Sequence, residues 1–398
     1  MSESNKNTGL LAIFLIYLRM GCLCFGGPIA HMSYFKHEFV DRRQWLNDAG
    51  YAELLGLCQF VPGPSSSQLG FAIAWHRGGL AGACVAWLGF TLPSALIMIG
   101  LSYGFFALEG QIEALTHGLL IATVAIVAKA TLGLGNKLCP DLPRMAIAVS
   151  SAVLVLSWPG GLAQVGAIVL GALISQCLKP QATVVRELTS APLRIIHAHT
   201  PRKIAFGALL ASAFLLTASF CMDENIYALH YRAGALVFGG GHVVLPLLND
   251  SIVTGGFVSE PNFLAAYSAA QALPGPLFTF SAFLGTLGAG TNPAAIGGLL
   301  ALVAIFLPGM LLLIGLLPYW GIIRQKKWAQ AGLSGANAAV VGLLLATLIH
   351  PVWTQGIQGV TDLGIGLLAF LALCRKAPAG LVVLCCGVAG YLPLYYMY

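Results

Sequence analysis

Charge is scarce in this 398-residue chain: Asp, Glu, Lys and Arg make up 9% of it, whereas soluble domains carry about a quarter. Hydrophobic residues make up 58%. So few polar groups cannot coat a soluble body of this length, which leaves the bilayer as the solvent. Catalytic signatures are missing as well. There is no GxxxxGK[ST] loop, no HExxH, no His-rich cluster and no paired carboxylates, so no nucleotide-driven step, catalytic residue, metal or cofactor is expected. The ten cysteines show neither CxxC nor zinc-ribbon spacing, and Cys22, Cys24, Cys84, Cys221, Cys385 and Cys386 sit in apolar runs where thiols pack as small hydrophobes. The formal charge of +6 comes without a basic, aromatic-studded surface, which excludes nucleic acid as a partner. The first eight residues are polar and lack the regions of a cleavable leader, so the first apolar run is expected to stay in the mature protein.

What the chain does have is an internal repeat. Phe25-Gly26-Gly27 recurs as Phe238-Gly239-Gly240. Gln59-Phe60-Val61-Pro62-Gly63-Pro64 recurs as Gln271-Ala272-Leu273-Pro274-Gly275-Pro276, and Leu92-Pro93 as Leu307-Pro308, in the same order and at nearly constant spacing. The halves are 1–179 and 226–398. They are joined by 180–225, a basic connection followed by an extra apolar run at 204–222. Runs long enough to cross a bilayer number about thirteen, at ~20 residues each. The fold class is therefore an all-α polytopic membrane protein with helices broken at Phe-Gly-Gly and Pro-Gly-Pro.

Basic residues orient it. The connection carries Arg186, Arg194, Arg202 and Lys203 against Glu187, which makes it cytoplasmic. Alternation then places Asp223 and Glu224 outside, Arg324, Lys326 and Lys327 inside, the N-terminus in the cytoplasm and the C-terminus in the periplasm. In this scheme runs 10–30 and 51–75 each cross once. Seven spans separate corresponding helices, so the repeats are inverted. Lys36, Arg42 and Arg43 fall on the wrong side.

A carrier of hydrophilic cargo needs polar groups at mid-depth, and a helix break supplies freed backbone groups there. Pro removes a donor and clashes with the preceding turn, and Gly releases the backbone. After the first break, Ser65, Ser66, Ser67 and Gln68 can cap a new helix, whose N-terminal amides suit an oxyanion. The second copy has Phe278 and Thr279 instead.

Phe25-Gly26-Gly27-Pro28-x-Ala30-His31, Val40, Trp45 and Gln59-x-x-Pro62-Gly63-Pro64 resemble the chromate ion transporter family in its long, two-domain form. So do Phe238-Gly239-Gly240-Gly241-His242, Pro246, Gln271-x-x-Pro274-Gly275-Pro276-Leu277-Phe278-Thr279 and Leu307-Pro308-Gly309. The resemblance covers both halves. It implies an inner-membrane carrier that exports chromate on the electrochemical gradient, with sulfate as the look-alike dianion. The partners expected are that dianion, the lipid bilayer and, as one option, a second copy in a homodimer. A passive anion channel and an organic-acid carrier are the competing readings.

The candidate substrate-binding residues are Gly26, Gly27, His31, Gln59, Pro62, Gly63, Pro64, Ser65, Ser66 and Lys129 in the first half. In the second half they are Gly239, Gly240, His242, Gln271, Pro274, Gly275, Pro276 and Thr279. His31 and His242 follow the Gly-rich breaks as oxyanion donors or packing residues. Glu53, two turns before the first Pro-Gly-Pro, is the proton-coupling candidate; its repeat counterpart is Ala265. Lys129 is read as a cation for the dianion or a snorkelling side chain. Lys36, Arg42 and Arg43 form either a solvated loop or an electropositive vestibule.

Overall fold

The computed structural model describes residues 9–25, 27–107, 113–158, 160–178, 201–222, 224–238, 241–289 and 294–390. The predicted site residues Gly26, Gly239 and Gly240, the stretch 180–200 of the connection and Asp223 lie outside the described residues.

A bilayer offers no partner for a backbone amide, so each segment must satisfy its own, and the result is helical. Among the described residues there are sixteen helices and no strands. The first half holds α1 (Leu10–Leu23), α2 (Gly27–Lys36, prolonged by a π turn, His37–Arg42), α3 (Asp48–Phe60), α4 (Ser65–Ala107), α5 (Glu113–Leu138), α6 (Leu142–Ser157) and α7 (Gly161–Ile174). α8 (Arg202–Ser219) stands between the halves. The second half holds α9 (Ile226–Leu236), α10 (Val244–Thr254), α11 (Glu260–Ala272), α12 (Phe280–Leu287), α13 (Ala295–Leu316), α14 (Lys327–Thr347), α15 (Val360–Cys374) and α16 (Ala379–Ala389). The order repeats, with α12 and α13 together matching α4. Among the described residues, α4, α5, α8, α13 and α14 are the helices long and apolar enough to cross a membrane, by length and composition. All ten cysteines are free thiols.

Runs 10–30 and 51–75 do not behave as single spans. Arg77, near the end of the first stretch of α4, lies over the ring of Trp45, just before α3, with its guanidinium carbon 5.5 Å from the ring centre. The two ends of this unit are therefore together, and Pro-Gly-Pro is the apex of a helical hairpin. Tyr17 stacks on Phe39 at 5.1 Å, which folds α2 back toward α1 with the turn between Phe25 and Gly27. The second half repeats this arrangement. A methyl group on Gly288, just after α12, would lie 3.4 Å from Cβ of Phe257, just before α11, and the rings of Tyr267 and Phe280 face each other at 5.9 Å. The apexes need glycine: Gly63 has φ +131° and Gly275 φ +94°, values that side chains rarely tolerate.

α4 also reverses, at Gly78–Gly79, where Gly79 has φ 64° and ψ −164°. A methyl on Gly82 would sit 3.1 Å from the carbonyl oxygen of Ala74, two positions that an unbroken helix would hold about 12 Å apart. Residues 80–107 then run on as a long helix. The expectation that each Pro-Gly-Pro run crosses the membrane once is thus corrected. Hydropathy measures apolar length and is blind to a reversal of direction.

The halves interlock. α5 packs against α11, α15 and α16 of the second half, and its repeat counterpart α14 packs against α6 and α7 of the first. Small residues let these backbones touch: Gly118 meets Cys386, Gly335 meets Gly171 and Gly342 meets Ala148. α8 packs on the second half, with Leu209 against Gly315 and the Tyr231 hydroxyl donating to the Ser212 carbonyl at 3.3 Å.

Candidate functional site

The breaks of one half are completed by the other. The Gly63 N–H donates to the carbonyl of Val237 at 2.7 Å, and the Gly275 N–H donates to the carbonyl of Cys24 at 3.0 Å. Cys24 and Val237 are the residues before the two Phe-Gly-Gly motifs. The third motif joins in the same way. A methyl on Gly63 would lie 2.9 Å from Cα of Gly309, and one on Gly275 would lie 2.7 Å from Oγ of Ser94; Gly309 and Ser94 each follow a Leu-Pro pair. A methyl on Gly241 would meet the Pro28 ring at 3.3 Å. Pro28 and Gly241 are aligned positions that face each other where the halves meet, so a ring on both would collide. The apex amides of Gly63 and Gly275 are therefore engaged across the halves and not bare, as the sequence alone suggested.

The two apexes differ chemically. At the first, His31 is 1% exposed and satisfied at both ring nitrogens. Its Nε2 donates to the Cys24 carbonyl at 3.1 Å, and the Ser66 hydroxyl donates to Nδ1 at 3.4 Å. Gln68, fully buried, donates its amide hydrogens to the Pro62 carbonyl at 3.1 Å and the Gly309 carbonyl at 2.9 Å. Pro64 and Ser66 are buried, while Gln59, Pro62 and Ser65 are half-buried; Glu53 is buried on α3.

The second apex is more open, with His242, Gln271 and Pro274 half-buried and Gly275 and Pro276 buried. Nδ1 of His242 faces the Tyr267 hydroxyl at 2.6 Å and the Gln271 amide nitrogen at 3.4 Å. Assigned from these two donors, Nδ1 accepts and the proton of the neutral ring sits on Nε2, which has no partner among the described residues. That N–H is a donor to offer. The Thr279 hydroxyl is used in its own turn, donating to the Pro276 carbonyl at 2.8 Å.

Lys129 is exposed, and its Nζ donates to the Leu373 carbonyl at 2.6 Å, at the C-terminal end of α15. Lys36, Arg42 and Arg43 sit at the base of the first hairpins, at the far end from the apexes, and are matched with acids. Lys36 pairs with Asp48 at 3.0 Å, and Glu38 holds Arg42 at 3.0 Å and Arg43 at 2.6 Å. Gly27 opens α2 with φ +73° and empty space where a side chain would point. Sequence reasoning missed Gln68 as a bridging residue and Tyr267 as a partner of His242. Gln68 carries a signal, being a fourth consecutive polar residue entering an apolar helix.

The sequence profile of the chromate transporter family matches residues 11–176 and 225–391. The chain belongs to that family. Chromate transporter relatives match across nearly the whole length. The chromate transport protein of Pseudomonas aeruginosa is 28% identical over 96% of this chain and 91% of its own. That of Cupriavidus metallidurans is 27% identical over 92% of this chain and 87% of its own. The uncharacterized transporter YwrB of Bacillus subtilis is 31% identical over 26% of this chain and 50% of its own. No solved structure matches. At the crossing of the breaks, polar groups of both halves converge inside an apolar body.

Proposed function

We propose that the protein is a secondary transporter that exports chromate across the bacterial inner membrane, driven by the electrochemical gradient, with residues 1–179 and 226–398 as its two functional repeats and 180–225 as their connection. The observation that carries this reading is the reciprocal pairing of the breaks. Gly63 with Val237 and Gly275 with Cys24 make a polar centre that belongs to neither half alone. Rocking one half against the other exchanges those contacts, which is how repeat-built carriers expose one site to either side.

The hairpins support the orientation. Two re-entrant units per half remove two crossings, so parity is kept: the N-terminus stays cytoplasmic, the C-terminus periplasmic and the halves inverted. Lys36, Arg42 and Arg43, which a single crossing would put outside, now share the cytoplasmic side with Lys137, Lys326 and Lys327, while Asp250 and Glu260 lie opposite. All three bases then obey the positive-inside rule.

The driving force is sufficient. A dianion leaving a negative interior gains about 4.6 kcal/mol per 100 mV, a concentration ratio of about 10³. Sulfate, a tetrahedral dianion of similar size, is the expected competitor. Uptake of labelled chromate into everted vesicles, with the potential clamped, tests the proposal. Saturable flux that grows with interior-positive potential is expected. Flux that follows the potential but stays proportional to chromate concentration would indicate a passive pore.

A further inference from the structure

Among the described residues, one cluster of positive charge is left without an acid, and it contains Lys129, a cation that the sequence already singles out. Lys36, Arg42 and Arg43 are matched by Asp48 and Glu38, and Arg144 is paired with Asp141. Lys129, Arg375 and Lys376 are exposed, and among the described residues no carboxylate pairs with any of them. They are also together. The Leu373 carbonyl accepts from the Lys129 ammonium at 2.6 Å and from the Lys376 backbone N–H at 3.0 Å, and Arg375 stands between Leu373 and Lys376 in the chain. α16 starts at Ala379, so the positive end of its backbone faces the same turn.

This turn touches the second apex. A methyl on Gly380 would lie 3.0 Å from the carbonyl oxygen of Ala272, the neighbour of Gln271. Lys129 is within electrostatic reach of His242. A charge that only orients a helix needs to stay out of the bilayer and has no reason to abut a helix break.

We propose that Lys129, Arg375 and Lys376 form an electropositive mouth through which a small dianion from the cytoplasm reaches the Nε2–H of His242 and the amide of Gln271. This deepens the carrier reading above and rests on it. The mouth raises the local concentration of anions, and the second apex, with its open imidazole donor, receives them. The first apex, closed by Gln68 and by the fully engaged His31, does not receive cargo in this conformation.

Two measurements on the full chain test the mouth. In everted vesicles, the triple variant Lys129→Gln, Arg375→Gln, Lys376→Gln should raise the KM for chromate about tenfold with little change in maximal rate, while the pair Lys326→Gln, Lys327→Gln should change neither. An unchanged KM in the triple variant, or an equal rise in the control pair, overturns the proposal. The single exposed variants Arg375→Gln and Lys376→Gln, each with a smaller rise, cover a triple variant that fails to fold.

The second measurement is independent of cargo. Gln271→Cys is labelled with an anionic and a cationic methanethiosulfonate, with the parent chain as background. The anionic-to-cationic rate ratio should fall about tenfold when the three bases are neutralised. An unmoved ratio overturns the mouth even if chromate flux is present. A ratio that falls in a protein carrying neither chromate nor sulfate keeps the mouth and removes the carrier reading.

Discussion

Replacing Gly63 by alanine tests the contact on which the centre depends. The new methyl group faces two obstacles. At φ +131° the backbone holds a conformation that costs a non-glycine residue about 1–3 kcal/mol. The methyl would also stand 2.9 Å from Cα of Gly309, which is backbone and cannot swing aside, and 2.8 Å from Nε2 of Gln68. Overpacking of this kind costs about 1–3 kcal/mol. The two together give about 2–6 kcal/mol, borne where the halves meet. Gly27→Ala is the matched control, because φ is +73° there and nothing lies within 4 Å of the added methyl, so only a backbone cost of about 1–2 kcal/mol applies. Thermal unfolding of the purified variants, followed by size-exclusion recovery after heating, should rank wild type above Gly27→Ala and Gly27→Ala well above Gly63→Ala. Chromate flux should fall in the same order. Equal losses for the two substitutions would refute the packing of Gly63 on Gly309 and with it the picture of interlocked breaks.

Gln68→Ala removes two donated hydrogen bonds and should destabilise by about 2 kcal/mol, whereas Gln68→Glu places an acceptor against two carbonyls and should cost at least about 3 kcal/mol; melting curves of both decide. Cysteines at positions 43 and 77 should react with an impermeant maleimide in everted vesicles and not in intact cells, together with one at 327; labelling of 43 from outside would return the first hairpins to single crossings. Co-expressed fragments 1–190 and 191–398 should copurify without a covalent link, because α5 and α14 are each clasped by helices of the other half, and each fragment alone should be lost to degradation.

The motifs that break the helices were legible in the sequence because Pro and Gly act locally, within a turn of where they stand. The hairpins were not. An apolar run has the same hydropathy whether it passes through or doubles back, and 51–75 was read as one span. A trace was nevertheless present: in the single-crossing scheme Lys36, Arg42 and Arg43 defied the charge rule. The pairing of Gly63 with Val237 had no local signature at all, since the two residues meet only once the second half is in place. Gln68 was read as a helix-capping residue beside Ser65–Ser67, and only its distance to Gly309 shows that it spans the halves. The difference between the two histidines also depends on partners far away in sequence, Ser66 for His31 and Tyr267 for His242.

Interlocking has a consequence for the newborn chain. The amide of Gly63 emerges 174 residues ahead of its acceptor (237 − 63), and Gly309, its packing partner, comes later still. At ribosomal speed that is roughly 10–35 s during which the first half waits in lipid with its centre unfinished. During biogenesis it depends on whatever holds incomplete membrane segments, and a stall in the interval would leave a half with unpaired polar groups exposed to proteolysis.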